Sequence, residues 1–133
     1  MTTPDGIDEA SLAHLVQRFY ERIRADALLG PVFEGEVDDW PAHLQTLADF
    51  WSGVMLRGER YKGNPAAVHM RLREHLSAEK FARWLALWKA TTEAEMPPEA
   101  AALLQERASR IARSLQMMLD FVPGARPQAW TPG

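Results

Sequence analysis

The stretch that decides the fold runs from Tyr61 to Trp88 and reads YKGNPAAVHMRLREHLSAEKFARWLALW. Its first part, Gly63 to Pro65, is typical of a turn that leads into a helix, because proline suits the first helical position. We predict a short helix after Pro65 that carries His69 on an apolar face. Ser77 is a candidate N-cap for a second helix.

The helix predicted after Ser77 has an aromatic stripe, since Phe81, Trp84, Leu85 and Trp88 recur at spacings of three and four. A histidine such as His69 beside an aromatic wall suits a flat apolar cofactor held by one axial bond, and haem is such a cofactor. The same pattern also fits a hydrogen-bonded core histidine next to an ordinary aromatic core.

Composition limits the possible function classes. The chain has 133 residues, 47% of them apolar and 25% charged, which is typical of a single soluble globular domain. A net charge of -3 argues against nucleic acid as a partner. The absence of cysteine excludes disulfides, iron–sulfur clusters and thiolate zinc sites. No secretion signal or membrane-spanning run is present, so we expect a cytoplasmic protein.

Helical periodicity predicts a first helix that starts at Asp8-Glu9 and is flanked on its apolar side by Tyr20. Gly30-Pro31 then predicts a break, which leaves Val32 and Phe33 in a connector. Asp38 or Asp39 is the predicted N-cap of the next helix, with Pro41 in its first turn. The inward stripe of that helix contains Trp40, Leu44, Leu47, Trp51 and Val54, widened by Phe50, and Gly58 ends it near Arg57.

The segment from Met96 to Pro98 predicts another break, since the residue before proline avoids helical geometry. A last helix is expected from about Glu99 to Phe121. Its inward residues are predicted to be Leu103, Leu104, Ala108, Ile111, Leu115 and Met118. No stretch alternates as a strand does, so the predicted class is all-α. We expect one domain over residues 1–121 and a disordered Pro- and Gly-rich tail over 122–133, in which Trp130 has no assigned role.

Sequence motifs of other enzyme classes are absent. The four histidines, His14, His43, His69 and His75, form neither HExxH nor the ExxH repeat of di-iron proteins. GxSxG, P-loop and GxGxxG motifs do not occur, which disfavours hydrolase, nucleotide-binding and zinc readings. His14 is predicted to lie at the surface or at a helix edge without a partner.

Six short segments, taken in order, resemble the truncated haemoglobins, and among them the third group. The resemblance extends from about Leu12 to Leu119. The segments are Phe19-Tyr20-Glu21, Leu29-Gly30-Pro31-Val32-Phe33, Trp40-x-x-His43, Phe50-Trp51-Ser52-Gly53, Tyr61-x-Gly63-Asn64-Pro65 with His69-x-x-Leu72, and Phe81-x-x-Trp84-Leu85-x-Leu87-Trp88.

This resemblance implies a truncated globin fold, a two-over-two helical sandwich around haem b. It assigns His69 as the proximal iron ligand, Tyr20 and His43 as distal residues, and Trp84 as the pocket tryptophan. Phe33 would pack on the porphyrin. The chain departs from the family pattern in lacking a proline soon after His69-x-x-Leu72, so His75 remains a minor candidate for the ligand.

The other expected pocket residues follow from the same resemblance. Leu47 is expected on the distal side, where its bulk would restrict ligand entry. Tyr61, Lys62 and Arg71 are candidates for the haem propionates, because cationic groups bind carboxylates well; a solvated basic face is the alternative. The remaining cofactor-contacting candidates are Phe50, Trp51, Leu72 and Phe81.

The expected function is reversible binding of O2 and other small ligands, namely NO, CO and cyanide, at an iron with an open axial position. Donor groups on Tyr20, His43 and Trp84 would stabilise a ligand that gains negative charge. The alternative for Tyr20 is a core tyrosine that bonds to a nearby carbonyl, for Trp84 plain packing, and for His43 a gate to solvent. We expect O2 or NO redox chemistry or detoxification, not bulk O2 transport. NO dioxygenase or peroxidase-like activity is possible, with an unidentified reductase, in a monomer. A haem-free helical sensor or interaction module is the alternative function.

Overall fold

The computed structural model of the protein describes the backbone of residues 6–56 and 76–121, and side chains as far as residue 118. All regular structure within these ranges is helical, which confirms the predicted all-α class. The helices are α1 (Glu9–Ala25), α2 (Gly30–Glu36), α3 (Trp40–Leu56), α4 (Ala78–Glu95) and α5 (Pro98–Phe121). None of these helices is long and apolar enough to cross a bilayer.

Side-chain caps explain where α1 and α4 begin. Asp8 and Ser11 form a capping box: the Ser11 N–H donates to Asp8 Oδ1 at 2.7 Å, and the Asp8 N–H donates to Ser11 Oγ at 2.9 Å. At α4 the backbone N–H of Lys80 donates to Ser77 Oγ at 3.1 Å. Both predicted helix starts are confirmed.

The predicted connector after Gly30 is wrong, because residues 30–36 form helix α2. The turn comes earlier, at residues 26–29, and the Gly30 N–H donates to the carbonyl oxygen of Asp26 at 2.8 Å. Pro31 occupies the first helical turn, where its missing N–H costs nothing. A side chain at position 30 would place Cβ 2.8 Å from the carbonyl oxygen of Arg24, so only glycine fits this turn. Phe33 therefore lies on a helix.

The remaining boundaries agree closely with the predicted ones. Asp39 caps α3, since its Oδ1 accepts from the Ala42 N–H at 3.0 Å. Helix α5 begins at Pro98, one residue before the predicted start. The predicted end of α3 near Arg57 and Gly58 lies outside the described residues, as does the tail over 122–133.

Helix α1 is the centre of the packing. It contacts α2, α3 and α4, while α4 packs along α5. The helices thus form two pairs, α1 with α3 and α4 with α5, which confirms the predicted two-over-two arrangement. The inward face of α1 is at most 1% exposed at Leu12, Leu15, Val16, Phe19 and Ile23. This burial stabilises the fold, because the removal of apolar area from water is the main driving force of folding.

A tryptophan joins the two helix pairs. Trp88 is 1% exposed, stacks on Trp51 of α3 with ring centroids 4.6 Å apart, and meets Phe19 edge-on at 4.8 Å. Its indole N–H donates to the carbonyl oxygen of Leu104 at 3.0 Å, so the polar atom of this buried ring is satisfied. Trp88 is therefore a structural residue.

His14 is exposed as predicted, but it has a partner. Its Nε2 lies 3.0 Å from Glu95 Oε1, so it links α1 to the end of α4. The prediction of a partner-free position was wrong, because helical periodicity does not show which helix end lies opposite.

Candidate functional site

The helices enclose a cavity of about 490 Å³. This volume lies within the range of about 300–1,000 Å³ that is usual for small-molecule and cofactor sites. Every predicted site residue that the structure describes lines it: Tyr20, Phe33, His43, Leu47, Phe50, Trp51, Phe81 and Trp84. Eight residues from four helices thus surround one space, although the chain separates them by up to 64 positions (84 − 20).

Tyr20 lies at the centre of the polar part of this cavity. It projects from α1 and is 6% exposed. Its ring meets Phe33 of α2 edge-on at 5.4 Å and His43 of α3 edge-on at 5.8 Å. These perpendicular contacts are the favoured geometry for aromatic neighbours, and they fix the phenol between two helices.

The phenol of Tyr20 remains protonated. Burial raises its pKa well above the ordinary value, and a side-chain hydrogen bond from Trp84 opposes that rise only in part. The indole nitrogen of Trp84 can only donate, so it donates to the phenolic oxygen. The O–H of Tyr20 is then a neutral hydrogen-bond donor held in place by Trp84.

His43 is half-buried on the same side, and burial lowers its pKa below 6.5. The imidazole is therefore neutral at pH 7. Its Nε2 is buried without a hydrogen-bond partner among the described residues, and so is Nε1 of neighbouring Trp40. Buried polar atoms are almost always paired, so the unpaired Nε2 of His43, a residue that lines the cavity, indicates that a further group completes this site.

The opposite part of the cavity is apolar. Trp51 and Phe81 are 4% and 9% exposed, and Leu47 and Phe50 are half-buried beside them. Phe50 meets Trp51 edge-on at 5.6 Å. The cavity therefore has aromatic and branched side chains on one side and a few hydrogen-bond donors on the other. This lining fits a flat apolar group with one polar axis.

Several lining residues were not predicted. Ile111 and Leu115 of α5 belong to the inward stripe of that helix, so the signal was present but was interpreted only as core. Lys80 also lines the cavity, and a lysine beside a helix start carries no signal for such a role. The polar rim on the α2–α3 side contains Glu36, Asp38, Asp39 and Thr46.

Asp26 joins the α1–α2 turn to α4 beside the cavity. Its side chain is 4% exposed, and its Oδ1 accepts from Arg83 Nε at 2.7 Å and from Nη2 at 2.6 Å. Its Oδ2 accepts from the backbone N–H groups of Leu28 and Leu29. The Arg83 guanidinium, more than these backbone donors, holds the pKa of Asp26 below its usual value. This pair therefore ties the α1–α2 turn to the helix that carries Trp84.

The remaining predicted site residues lie outside the described residues: His69, Tyr61, Lys62, Arg71, Leu72 and the minor candidate His75. Their assigned roles stay predictions.

Comparison with known proteins identifies the family. The chain is 32% identical over 119 residues to the group 3 truncated hemoglobin ctb of Campylobacter jejuni subsp. jejuni serotype O:2, a match that covers 86% of this chain and 93% of that protein. The chain belongs to the group III truncated haemoglobin family. The crystal structure of group III truncated hemoglobin from Campylobacter jejuni superposes with a TM-score of 0.78 at 30% identity, covering 89% of this chain and 95% of that one. No family model matches the chain.

The described residues of this truncated haemoglobin fit the haem that its family implies. The cavity is large and mostly apolar, its polar donors converge on one side, and the buried Nε2 of His43 there has no partner among the described residues. In an ordinary helical core, side chains would fill a space as large as this cavity, since protein interiors are close-packed.

Proposed function

We propose that the chain is a haem b protein that reversibly binds O2, NO, CO or cyanide. His69 is the proposed proximal ligand, and Tyr20, His43 and Trp84 form the proposed distal pocket. The observation that carries this proposal is the convergence of those three polar side chains on one cavity with aromatic walls. Family membership supports it independently.

Haem would be held by the imidazole of His69 and would supply an iron that binds a small ligand. The chain supplies the surroundings. Apolar walls at Phe33, Phe50 and Phe81 hold the flat ring and exclude water. Cationic and phenolic groups at Tyr61, Lys62 and Arg71 are proposed to bind the propionates, with Lys80 as a further cation at the cavity wall.

The distal residues have separate tasks. Tyr20 would donate a hydrogen bond to a ligand that gains negative charge, because its phenol is protonated at physiological pH. Trp84 orients the phenol by donating to its oxygen. His43 is neutral, so it can donate from one ring nitrogen without placing a charge in the cavity.

Strong distal donors slow the release of a ligand, which suits chemistry on that ligand better than O2 delivery. We therefore propose a role in O2 or NO redox chemistry or detoxification, with NO dioxygenase or peroxidase-like turnover as its enzymatic form. Consumption of NO under O2, with a supplied reductase, tests this role. A rate no faster than that of free haem would exclude the dioxygenase form.

Haem binding itself is tested by titration of the purified chain with haem, followed by visible absorption. We expect saturation at one haem per chain. Failure to bind haem stoichiometrically would refute the proposal.

Two further experiments test the size of the unit. Sedimentation of the haem-loaded protein tests the proposed monomer. Removal of residues 122–133 tests the proposed single domain over residues 1–121, and we expect the shortened chain to keep its haem.

A further inference from the structure

Three helices meet outside the cavity through three side chains, which we call the outer clamp: Arg24 of α1, Glu34 of α2 and Trp40 of α3. Arg24 Nε donates to Glu34 Oε1 at 2.8 Å. The guanidinium carbon of Arg24 lies 4.3 Å from the centroid of the Trp40 ring, within the range of a cation–π contact. The planar guanidinium suits both contacts at once, because it can pair at its edge and stack on its face.

The outer clamp contacts the proposed distal residues through Trp40. The ring centroid of Trp40 lies 5.5 Å from that of His43, with the two planes perpendicular, and 6.0 Å from that of Tyr20. The spacing along the helices explains this: Arg24 is four residues after Tyr20 on α1, and His43 is three residues after Trp40 on α3. Arg24 and Trp40 are thus each one helical turn from a distal residue on the same face of the helix.

No hydrogen bond from Trp40 Nε1 or His43 Nε2 to another described residue fixes either ring at that nitrogen. The orientation of the imidazole therefore depends on what packs against it, and Trp40 and Tyr20 meet it from two sides. The face of Trp40 is in turn held by Arg24.

We propose that Arg24 is a positioning residue: held by Glu34, it fixes Trp40 and thereby keeps the imidazole of His43 facing Tyr20 inside the cavity. The expected effect of Arg24 on a bound ligand rests on the proposed function. The side chains of Arg24 and Glu34 are 46% and 50% exposed, so their ion pair contributes little to global stability. Its effect is local, on the distal side of the cavity.

The test compares Arg24→Gln, Glu34→Gln and Trp40→Phe with a matched control, Arg18→Gln. Arg18 lies on the same helix, its side chain is 49% exposed, and it pairs with Glu21 at 3.0 Å. Carbon monoxide is the probe: the infrared C–O stretch of the ferrous protein reports how close the distal donors lie. The nuclear Overhauser contact between the ring protons of Trp40 and His43 is the second readout, and it requires no turnover.

We expect Arg24→Gln and Glu34→Gln to weaken the contact between the two rings, and all three clamp variants to add a C–O band at the frequency seen when His43 is replaced by leucine. The O2 dissociation rate should rise about fivefold, which corresponds to the loss of one hydrogen bond. Arg24→Lys keeps a cation over the indole and should behave more like wild type than Arg24→Gln.

A wild-type ring contact and a single wild-type C–O band in Arg24→Gln would overturn the proposal. Equal changes in Arg18→Gln would also overturn it, because the effect would then be a general one. The two failures can be told apart because the Trp40–His43 ring contact can be measured without haem. If the chain takes up no haem, the proposed function fails, but Arg24→Gln should still weaken this ring contact in the protein as purified.

Discussion

Tyr20 is a neutral hydrogen-bond donor held in one place. Its phenol is 6% exposed, burial raises its pKa further above neutral, and Trp84 donates to its oxygen, so the phenol keeps its O–H proton and its position. We predict that Tyr20→Phe increases the O2 dissociation rate about fivefold, since a net hydrogen bond contributes about 1 kcal/mol. Stopped-flow displacement of O2 by CO measures this dissociation rate.

The thermal midpoint should change little in Tyr20→Phe, because phenylalanine keeps the edge contacts to Phe33 and His43. An unchanged dissociation rate would show that the hydroxyl faces Trp84 alone and does not reach the ligand.

His43 should make stability depend on pH. Burial lowers its pKa in the folded chain below 6.5, so the unfolded chain binds more protons as the pH falls through 6.5. The stability is therefore complete above pH 6.5 and is lost as the pH falls toward the lower folded pKa. We predict that thermal midpoints between about pH 5 and 7 vary less in His43→Gln than in wild type. Identical pH profiles would contradict a buried neutral imidazole.

At the scale of elements, Asp26 connects the α1–α2 turn to α4. The pKa of this carboxyl is lowered chiefly by Arg83, so its stabilising effect is present above its ordinary pKa of 3.8 and is lost as the pH falls through the lower folded value. We predict that Asp26→Asn lowers the thermal midpoint by several degrees near neutral pH, and that the difference from wild type disappears in acid.

Glu93→Gln is the matched control for Asp26→Asn. Lys89 lowers the pKa of Glu93 in the same way, but this pair is exposed on one helix, with side chains 63% and 53% accessible. Such pairs contribute little, so the midpoint should hardly move. Equal effects of the two substitutions would refute a special role for the Asp26–Arg83 pair.

The elements also show what sequence patterns can predict. Apolar spacing predicted the inward face of α1, and side-chain chemistry predicted the caps Ser77 and Asp39. The same reasoning failed at Gly30-Pro31, because a glycine and a proline favour a break and the first turn of a helix equally well. Here the chain has already turned at residues 26–29, where the Gly30 N–H donates to the carbonyl oxygen of Asp26, so Pro31 lies in the first turn of a helix.

At the scale of the whole molecule, the helices surround the cavity proposed to hold haem, and a larger side chain on its wall would occupy that space. Ile111 lines it from α5, whereas Ala102 of the same helix is exposed. We predict that Ile111→Trp weakens haem uptake about tenfold or more, because the indole overfills the space, while Ala102→Trp takes up haem like wild type. Absorption titration measures uptake, and circular dichroism checks that both variants fold. Normal uptake by Ile111→Trp would place the haem elsewhere.

Much of the candidate site could be predicted from the sequence because its aromatic residues share helix faces and the family pattern assigns them. Contacts between distant elements could not be predicted. Asp26 and Arg83 are 57 residues apart, and periodicity indicates which face of a helix is buried but not what lies opposite. Arg24 over Trp40 was missed for the same reason.

We propose that one histidine, His69, holds a haem beneath the distal pocket of Tyr20, His43 and Trp84. The most direct test is the visible spectrum of the haem-loaded protein, ferric and ferrous with CO, for wild type, His69→Ala and His75→Ala. We predict a histidine-ligated spectrum that is lost in His69→Ala and retained in His75→Ala. Loss in His75→Ala with retention in His69→Ala would contradict the assignment and move the proximal side of the site.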